Sequence, residues 1–308
     1  MGAVEASVIV PLYNHESYVV EALQSLADQT RAGRLEVVVI DDASSDGSYR
    51  VASDFMATVA DRFARAEVRQ NAANRGAPGT LNDGVASSSG KTLFFLNSDD
   101  AFAPTRVEAM LAALDREDAG FGFSEVEAFG DRTRVAEFNG EIAAYLARID
   151  AEMPSIEFGF LAKNLAISTG NIVARRSLWE PLGGFGPFAF CHDWDFALEA
   201  ISVSRPAFVR EPLYRYRLHP QNASLGLEDM ADLESDWVLQ KYFGRCLRNA
   251  VRNEMAPSPL HWPGVFENHL KDFRIEGLHD RWLAAAHHHH PVFRTSVRED
   301  IYGPPARR

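Results

Sequence analysis

The first hundred residues alternate short continuous apolar runs with apolar residues at helical spacing, and polar turns separate the two patterns. The continuous runs lie at 7–10, 36–40 and 92–96, which predicts buried strands. After the first run, Val19 and Leu23 belong to a set that recurs every three or four positions, as on the buried face of a helix. Strands that alternate with helices in this way predict a parallel sheet built from βαβ units.

Further elements follow from the same patterns as far as about residue 123. Strands are predicted near 67–69 and 120–123, and helices through 52–63, 81–86 and 104–114, the last beginning at Pro104. From about residue 125 to residue 169 the pattern loosens and becomes more acidic. It then tightens again, and the last tightened stretch, 194–201, is helix-like.

Beyond residue 223 the apolar residues follow one long helical stripe. The stripe consists of Leu239, Tyr242, Phe243, Cys246, Leu247, Ala250 and Val251. We therefore expect one domain over 1–222 and a helical extension over 223–308. A stripe this apolar must pack on the first domain or on a second copy of the chain. The second of these possibilities predicts a homo-oligomer formed through these helices.

Two adjacent carboxylates follow the apolar run 92–96, in the segment Asn97, Ser98, Asp99 and Asp100. Open α/β sheets bind ligands at the carboxyl ends of their strands, so this charge lies where a ligand is expected. Hard carboxylate oxygens bind Mg²⁺ or Mn²⁺, and such a metal can hold the phosphate oxygens of a substrate. The alternative is a solvated Asp-Asp turn that closes the strand.

Composition narrows the classes of partner. The 308-residue chain has 43 acidic against 31 basic residues and no basic stripe, which argues against nucleic acid as a binding partner.

We find no signal peptide or transmembrane segment and expect a cytoplasmic protein. A peripheral position at the inner face of the membrane is compatible with this expectation. Cys191 and Cys246 lack metal or redox spacing, so no disulfide is expected. The histidines at 287–290 are interpreted as a surface tract rather than a metal site.

Several short motifs lie at the predicted strand ends and on the loops that follow. They are Pro11, Leu12, Tyr13 and Asn14; Asp41 and Asp42 with Ser45, Asp46 and Gly47; Asn74, Arg75 and Gly76; and Asn82, Asp83 and Gly84. In this order, and followed by the Asp99 segment, they resemble the GT-A fold nucleotide-sugar transferases, in particular the inverting glycosyltransferases of family 2. The resemblance spans roughly 5–222. It implies a mixed, mainly parallel sheet flanked by helices, with a nucleotide-sugar-binding half (1–100) and an acceptor-binding half (101–222).

For the donor half, the resemblance implies a nucleotide-sugar partner, with a UDP-sugar favoured. Tyr13 would lay its ring against the base, and Asp42 would accept the imino N–H of uracil, which cytosine cannot donate. Pro11, Asn74 and Gly76 belong to the same implied binding set. Taken singly, Tyr13 is equally explained as a packed loop aromatic and Asp42 as a helix cap.

The implied metal site departs from the family pattern at its first position. This chain has Asn97 where the family commonly has Asp, and Asn97 can still form hydrogen bonds with the sugar or ribose. Both remaining carboxylates are candidate ligands for Mg²⁺ or Mn²⁺. We assign the direct metal contact to Asp100 and the sugar or ribose contact to Asp99.

In the acceptor half, a Gly-Gly-Phe turn at 183–185 precedes His192, Asp193, Trp194 and Asp195. The resemblance implies that Asp193 is the general base, which takes the proton of an acceptor hydroxyl and gives inversion. The acceptor would be a glycan or a lipid-linked glycan. His192 stands where the family usually has Glu, and it could orient Asp193. Without the resemblance, Asp193 is also explained as a helix cap.

The segment from Tyr214 to His219 resembles the closing segment of the same family. The resemblance implies that His219 completes the metal site or contacts the diphosphate. Arg217 would supply positive charge to that diphosphate. The alternative for His219 is a structural histidine after a strand.

Two other functions stay open at this point. One is a non-catalytic module that binds a nucleotide sugar or a glycan, in which Asn97 and His192 mark lost chemistry. The other is a sugar-nucleotide nucleotidyltransferase. That class would carry a Gly-rich basic loop after the first strand, where this chain has Pro11, Leu12, Tyr13 and Asn14.

Overall fold

The computed structural model describes residues 4–220, 222, 228–272 and 277–287. The strands are β1 (Ala6–Leu12), β2 (Leu35–Asp41), β3 (Arg65–Gln70), β4 (Thr92–Phe95), β5 (Ala101–Phe102), β6 (Phe121–Gly130), β7 (Val173–Arg175) and β8 (Pro206–Leu218). The helices are α1 (Val19–Ala27), α2 (Ser48–Val59), α3 (Gly76–Ala86), α4 (Arg106–Arg116), α5 (Arg132–Glu152), α6 (Ile156–Gly159), α7 (Arg176–Leu182), α8 (His192–Ile201), α9 (Glu228–Leu247), α10 (Val265–Asp272) and α11 (Leu278–His287).

Within the described residues, eight strands form one sheet in the order β3-β2-β1-β4-β7-β6-β8-β5. Strands β1 to β4 run parallel, and β6 is parallel to β8. Strand β7 is antiparallel to both of its neighbours, and β5 is antiparallel to β8. The mixed, mainly parallel sheet flanked by helices that the sequence predicted is therefore confirmed.

The central strands are buried on both faces, which explains their continuous apolar runs. Successive residues of a strand point to opposite faces, so Val8 and Val10 join one hydrophobic core whereas Ile9 joins the other. Helices α1, α2 and α4 contribute to the core of Val8. Helices α3, α7, α8 and α9 contribute to the core of Ile9.

Helix α5 is the main element that the sequence did not predict. It covers 21 residues of the stretch in which the apolar pattern loosens, and the side chain of Asp131 caps its first turn by accepting from the Thr133 amide. Of its residues only Ile149 is buried, while Phe138 and Tyr145 are partly buried. So narrow a buried face leaves a weak periodic signal, since most positions on the helix are free to be polar.

Two predicted boundaries also differ. Helix α4 begins at Arg106, two residues after Pro104. Helix α9 ends at Leu247, so Ala250 and Val251 lie in the loop that follows it. Asn249 adopts a positive φ of 51°, which turns the chain out of the helix.

The C-terminal helices share a core with the rest of the chain. Leu239, Tyr242 and Phe243 of α9 are buried in the same hydrophobic cluster as Phe196 of α8. This packing covers the predicted stripe within one copy of the chain, so self-association and the boundary at residue 222 stay predictions.

None of the described helices is long and apolar enough to cross a membrane. The histidines at 288–290 lie outside the described residues.

A chain that ends at residue 222 is expected to lose its folded structure. Burial of one large apolar side chain contributes roughly 1.5–3 kcal/mol, so losing α9 removes an amount comparable to the whole stability of about 5–15 kcal/mol of a typical protein. Thermal melting and light scattering of the truncated chain test this expectation. A soluble truncated chain with an unchanged melting temperature would show that α9 is dispensable for folding.

Candidate active site at the carboxyl edge of the sheet

The predicted donor residues follow the carboxyl ends of β1, β2 and β4. In the parallel register, Leu12 lies opposite Asp41, and Ile9 lies opposite Phe95 of β4. The chain therefore leaves all three strands at one edge of the sheet, where such folds bind ligands. Pro11 lies within β1 opposite Ile40, beyond the residues that pair with β4.

Asp42 organises the first loop of the site. Its Oδ1 accepts from the side-chain amide of Asn71 (2.8 Å) and from the backbone amide of Arg75 (2.9 Å). Asn74 accepts from the amide of Gly76, whose positive φ of 74° favours glycine at that position. These bonds hold the loop before α3 against the end of β2.

Tyr13 directly follows the end of β1 and is 48% exposed. An aromatic ring exposed to this extent is available for stacking on a base. The next residue, Asn14, has a φ of 53°, and its side-chain oxygen accepts from the amide of Ser45 (2.8 Å). The loops after β1 and β2 are thereby joined.

Three side chains form a group whose ligand atoms all lie within 4.8 Å of one another: His15, Asp99 and His219. His219 Nε2 is 2.9 Å from Asp99 Oδ2, and His15 Nε2 is 3.9 Å from the same oxygen. Burial lowers the pKa of His15, against the opposing effect of the Asp99 charge. This lowering favours the neutral imidazole, which is the form that binds a metal.

The sequence did not identify His15 as a candidate. The signal that could have found it is its position, because it directly follows Asn14 at the carboxyl end of a central strand. Its Nδ1 lies 2.8 Å from the hydroxyl of Ser98, which orients the ring so that Nε2 faces Asp99. Orientation of a ligand imidazole through its other nitrogen is a usual feature of metal sites.

Asp100 lies outside this group and is fully buried. Its Oδ2 accepts from the Tyr214 hydroxyl and from the Asn97 amide, and its Oδ1 accepts from the Arg217 backbone N–H (2.7 Å). Burial, and then repulsion by Asp99, raise its pKa well above the usual value. Of the two carboxylates, Asp99 is the one grouped with His15 and His219, whereas the sequence assigned the direct metal contact to Asp100. Which of the two binds a metal stays a prediction.

Arg217 is engaged by the protein rather than pointing freely into the site. Its Nε donates to the backbone oxygen of Asp99 (2.6 Å), and its Nη2 pairs with the carboxylate of Glu21. Its guanidinium also lies over the rings of Phe129 and Tyr18. These contacts fix the backbone at Asp99, and contact with a diphosphate stays a prediction.

Asp193 lies in the first turn of α8, as the sequence predicted, and is partly buried. Its Oδ1 accepts from the Trp194 amide (2.7 Å), and its Oδ2 accepts from the hydroxyl of Thr169 (3.2 Å). The same hydroxyl is 3.0 Å from His192 Nε2. Burial raises the pKa of Asp193, against a smaller lowering by His192. A raised pKa makes a carboxylate a stronger proton acceptor.

Residues 168 and 169 connect this base candidate with the end of β4. The Asn97 amide donates to the hydroxyl of Ser168 (3.0 Å), and the neighbouring Thr169 bonds Asp193. Both residues belong to the stretch in which the sequence pattern loosens, so sequence reasoning missed them. The two halves are also joined by Asn82, whose side-chain amide exchanges hydrogen bonds with the backbone of Phe185 (2.9 and 3.1 Å).

The sequence model of the family described as glycosyl transferase family 2 matches residues 7–167 of this chain. The chain belongs to that family. The predicted family and transferase class are thereby confirmed.

Similar proteins include the putative glycosyltransferase EpsE of Bacillus subtilis, which is 29% identical over 185 residues (59% of this chain and 60% of EpsE). A second is the Escherichia coli UDP-Glc:alpha-D-GlcNAc-diphosphoundecaprenol beta-1,3-glucosyltransferase WfgD, 26% identical over 238 residues (75% of this chain and 83% of WfgD). The chain thus spans less than two thirds of EpsE and most of WfgD.

Solved structures share the fold. Staphylococcus aureus TarS 1–349 in complex with UDP-GlcNAc has a TM-score of 0.61 at 19% identity, covering 91% of this chain and 79% of that one. Mannosyltransferase PcManGT of Pyrobaculum calidifontis, in complex with GDP-Man and Mn²⁺, has a TM-score of 0.61 at 18% identity, covering 92% and 74%. These similarities agree with the GT-A type of sheet that the sequence predicted.

Proposed function

We propose that this chain transfers a sugar, with inversion, from a nucleotide diphosphate donor to a hydroxyl of a glycan or a lipid-linked glycan. The observation that carries the proposal is the pairing of two features at one sheet edge. His15 and Asp99 follow the ends of β1 and β4 in the donor half and are joined by His219, which follows β8; Asp193 is connected to the same edge through Thr169 and Ser168. A metal-assisted transfer needs both a diphosphate site and a proton acceptor.

A UDP-sugar is the donor that we favour. Asp42 Oδ1 is held by Asn71 and Arg75, so the carboxylate is fixed at the end of β2, where it can accept the imino N–H of uracil. Tyr13 supplies an exposed ring for the base, with Pro11, Asn74 and Gly76 shaping the surrounding backbone. TarS has been solved with UDP and with UDP-GlcNAc, whereas PcManGT has been solved with GDP-Man.

His15, Asp99 and His219 would hold the metal. Two imidazole nitrogens and one carboxylate form a softer ligand set than the oxygen ligands that Mg²⁺ prefers, so the set fits Mn²⁺ better. When bound, the metal would offset the negative charge of the diphosphate leaving group. Asp100 would act through its bonds to β8, by holding the neighbouring Asp99 in place.

Asp193 would take the proton of the acceptor hydroxyl as that hydroxyl attacks the anomeric carbon. The Thr169 hydroxyl, which donates to Asp193 Oδ2, would keep the carboxylate aimed toward the acceptor. His192 contacts the same hydroxyl and would help to hold it in place beside Asp193. One base opposite the leaving group gives inversion of the anomeric centre.

A lipid-linked acceptor and a role in polysaccharide biosynthesis are consistent with the name of WfgD, which describes a diphosphoundecaprenol-linked acceptor. We place the protein in the cytoplasm, where it could lie at the inner face of the membrane. Cys191 and Cys246 are free and buried, and burial raises the pKa of each thiol to about 12. Unreactive reduced thiols fit a reducing compartment.

Incubation of the purified protein with a panel of nucleotide sugars and Mn²⁺ tests the function. We expect slow release of nucleoside diphosphate without acceptor, fastest with a UDP-sugar, and weaker donor binding in Asp42→Ala because the uracil contact is lost. Release of pyrophosphate would indicate a nucleotidyltransferase. Donor binding without any release, also after addition of glycan and lipid-linked acceptors, would indicate a binding module.

A further inference from the structure

A buried carboxylate from the C-terminal region binds the turn that precedes the proposed base. Glu234 of α9 is fully buried, and its Oε1 accepts from the backbone amide of Ala189 (2.7 Å). Its Oε2 accepts from the amides of Phe190 (2.7 Å) and Cys191 (2.8 Å). Three successive N–H groups thus converge on one side chain.

These three N–H groups belong to the turn that leads into α8. The first residues of that helix are His192 and Asp193. Amides before the first turn of a helix have no partner within the helix, and the end of the helix carries partial positive charge. A carboxylate at this position therefore satisfies the free amides and is itself stabilised, as in other concave sites formed by successive amides.

The position of Glu234 is closely defined because its charge is buried. A buried carboxylate that gives up a hydrogen bond has no water to replace it, so displacement of the turn is unfavourable. Asp193 has less support of its own, since Oδ1 bonds only to the next amide in its helix and Oδ2 bonds to Thr169 at 3.2 Å. The placement of the base therefore follows the placement of the turn at 189–191.

The charge of Glu234 also acts on His192. Its charge raises the pKa of His192, as does the charge of Asp193, although burial is the larger effect and lowers that pKa. The family pattern has a glutamate at the position of His192. In this chain a glutamate from a different helix supplies a carboxylate to the same neighbourhood.

We propose that Glu234 is a positioning residue for the base. By binding the amides of Ala189, Phe190 and Cys191, it sets the direction in which the Asp193 side chain projects from the backbone. This inference rests on the proposed role of Asp193. It makes α9, outside the stretch that the family model matches, a component of the active site.

The test compares Glu234→Ala and Glu234→Gln with a matched control at the same helix interface. Glu199 of α8 pairs with Arg245 and Lys241 of α9, so Glu199→Gln weakens the packing of α9 without touching the turn. The readouts are turnover of a saturating UDP-sugar, UDP affinity by calorimetry with Mn²⁺, and melting temperature.

A displacement of about 1 Å at a reacting group can lower the rate roughly 100-fold, and we expect a kcat loss of that order in Glu234→Ala with unchanged UDP affinity. Glu234→Gln keeps one acceptor oxygen and should lose less. Glu199→Gln should melt at a lower temperature and keep its kcat. Equal kcat losses in Glu199→Gln and Glu234→Gln would reduce Glu234 to a general packing role and overturn the proposal.

Amide hydrogen exchange provides a readout that does not depend on activity, and it applies even if Glu234→Ala fails to fold. In folded Glu234→Gln, exchange at 189–191 should accelerate while exchange in the later turns of α8 does not. Unchanged exchange at 189–191 would overturn the inference. Full turnover in Asp193→Asn would instead overturn the proposed base, so the two failures can be told apart.

Discussion

Asp193→Asn is expected to lose roughly 10²–10⁴-fold in turnover while UDP binds as in the unmodified protein, because loss of a general base removes a factor of this size. Asn cannot accept the proton of the acceptor hydroxyl, and the donor site lies on other elements. Burial raises the pKa of Asp193, and only its ionised form is a base. Turnover should therefore fall as the pH drops through a value above the usual 3.9 or so for Asp.

Asp195→Asn is the matched control for this prediction. Asp195 lies in the same first turn of α8, but its carboxylate pairs with Lys241 (2.7 Å). We expect this variant to lose stability and to keep most of its turnover per folded molecule. The anomeric configuration of the product, followed by NMR, gives an independent check, and a retained configuration would contradict a single-base mechanism.

Asp99→Ala is expected to abolish Mn²⁺ binding in the presence of UDP and to reduce turnover to background. Asp99 contributes the one carboxylate of the proposed ligand set. Loss of a residue that only hydrogen-bonds a metal ligand lowers metal affinity roughly 10–100-fold, and loss of the ligand itself should lower it further. His15→Ala and His219→Ala should bind Mn²⁺ more weakly. The electron paramagnetic resonance signal of free Mn²⁺ measures the bound fraction, and EDTA should stop the reaction.

Asp100→Asn separates the two adjacent carboxylates. It can retain the Arg217 contact, but one of its Oδ positions becomes an amide that cannot accept from Tyr214 or Asn97 in the same way. The variant should therefore show a lower melting temperature while it retains measurable Mn²⁺ affinity. Loss of Mn²⁺ binding in Asp100→Asn, together with normal binding in Asp99→Ala, would restore the assignment made from the sequence.

The sequence predicted those parts of the protein whose signals are local. The runs at 7–10, 36–40 and 92–96 are buried on both faces of the sheet, so all of their positions after the first (Ser7, Glu36 and Thr92) are apolar and the pattern was clear. The strand ends carried Asp42 and Asp99 in recognisable motifs, and the start of α8 carried Asp193. Each of these depends on a few neighbouring residues.

The parts that the sequence did not predict depend on contacts between distant segments. Thr169 becomes relevant only because the fold brings its hydroxyl to Asp193. Glu234 is one acidic residue in a helix with several, and nothing in the chain marks it as the buried one. The hydrogen bonds that hold the Asp100 carboxylate likewise come from Tyr214 and Arg217 of β8, which lie more than a hundred residues away along the chain.

The packing of α9 against α8 has a consequence for protein synthesis. Domains generally fold as units as the chain emerges from the ribosome, so a domain must wait for its last essential element. The strands that carry Asp42 and Asp99 precede residue 103, whereas the turn before Asp193 lacks its buried partner until Glu234 has been translated. Because α9 also completes the hydrophobic core that it shares with α8, a ribosome-bound chain that stops before Glu234 lacks both this core and the support of the turn, so the proposed active site can form only after α9 has left the ribosome.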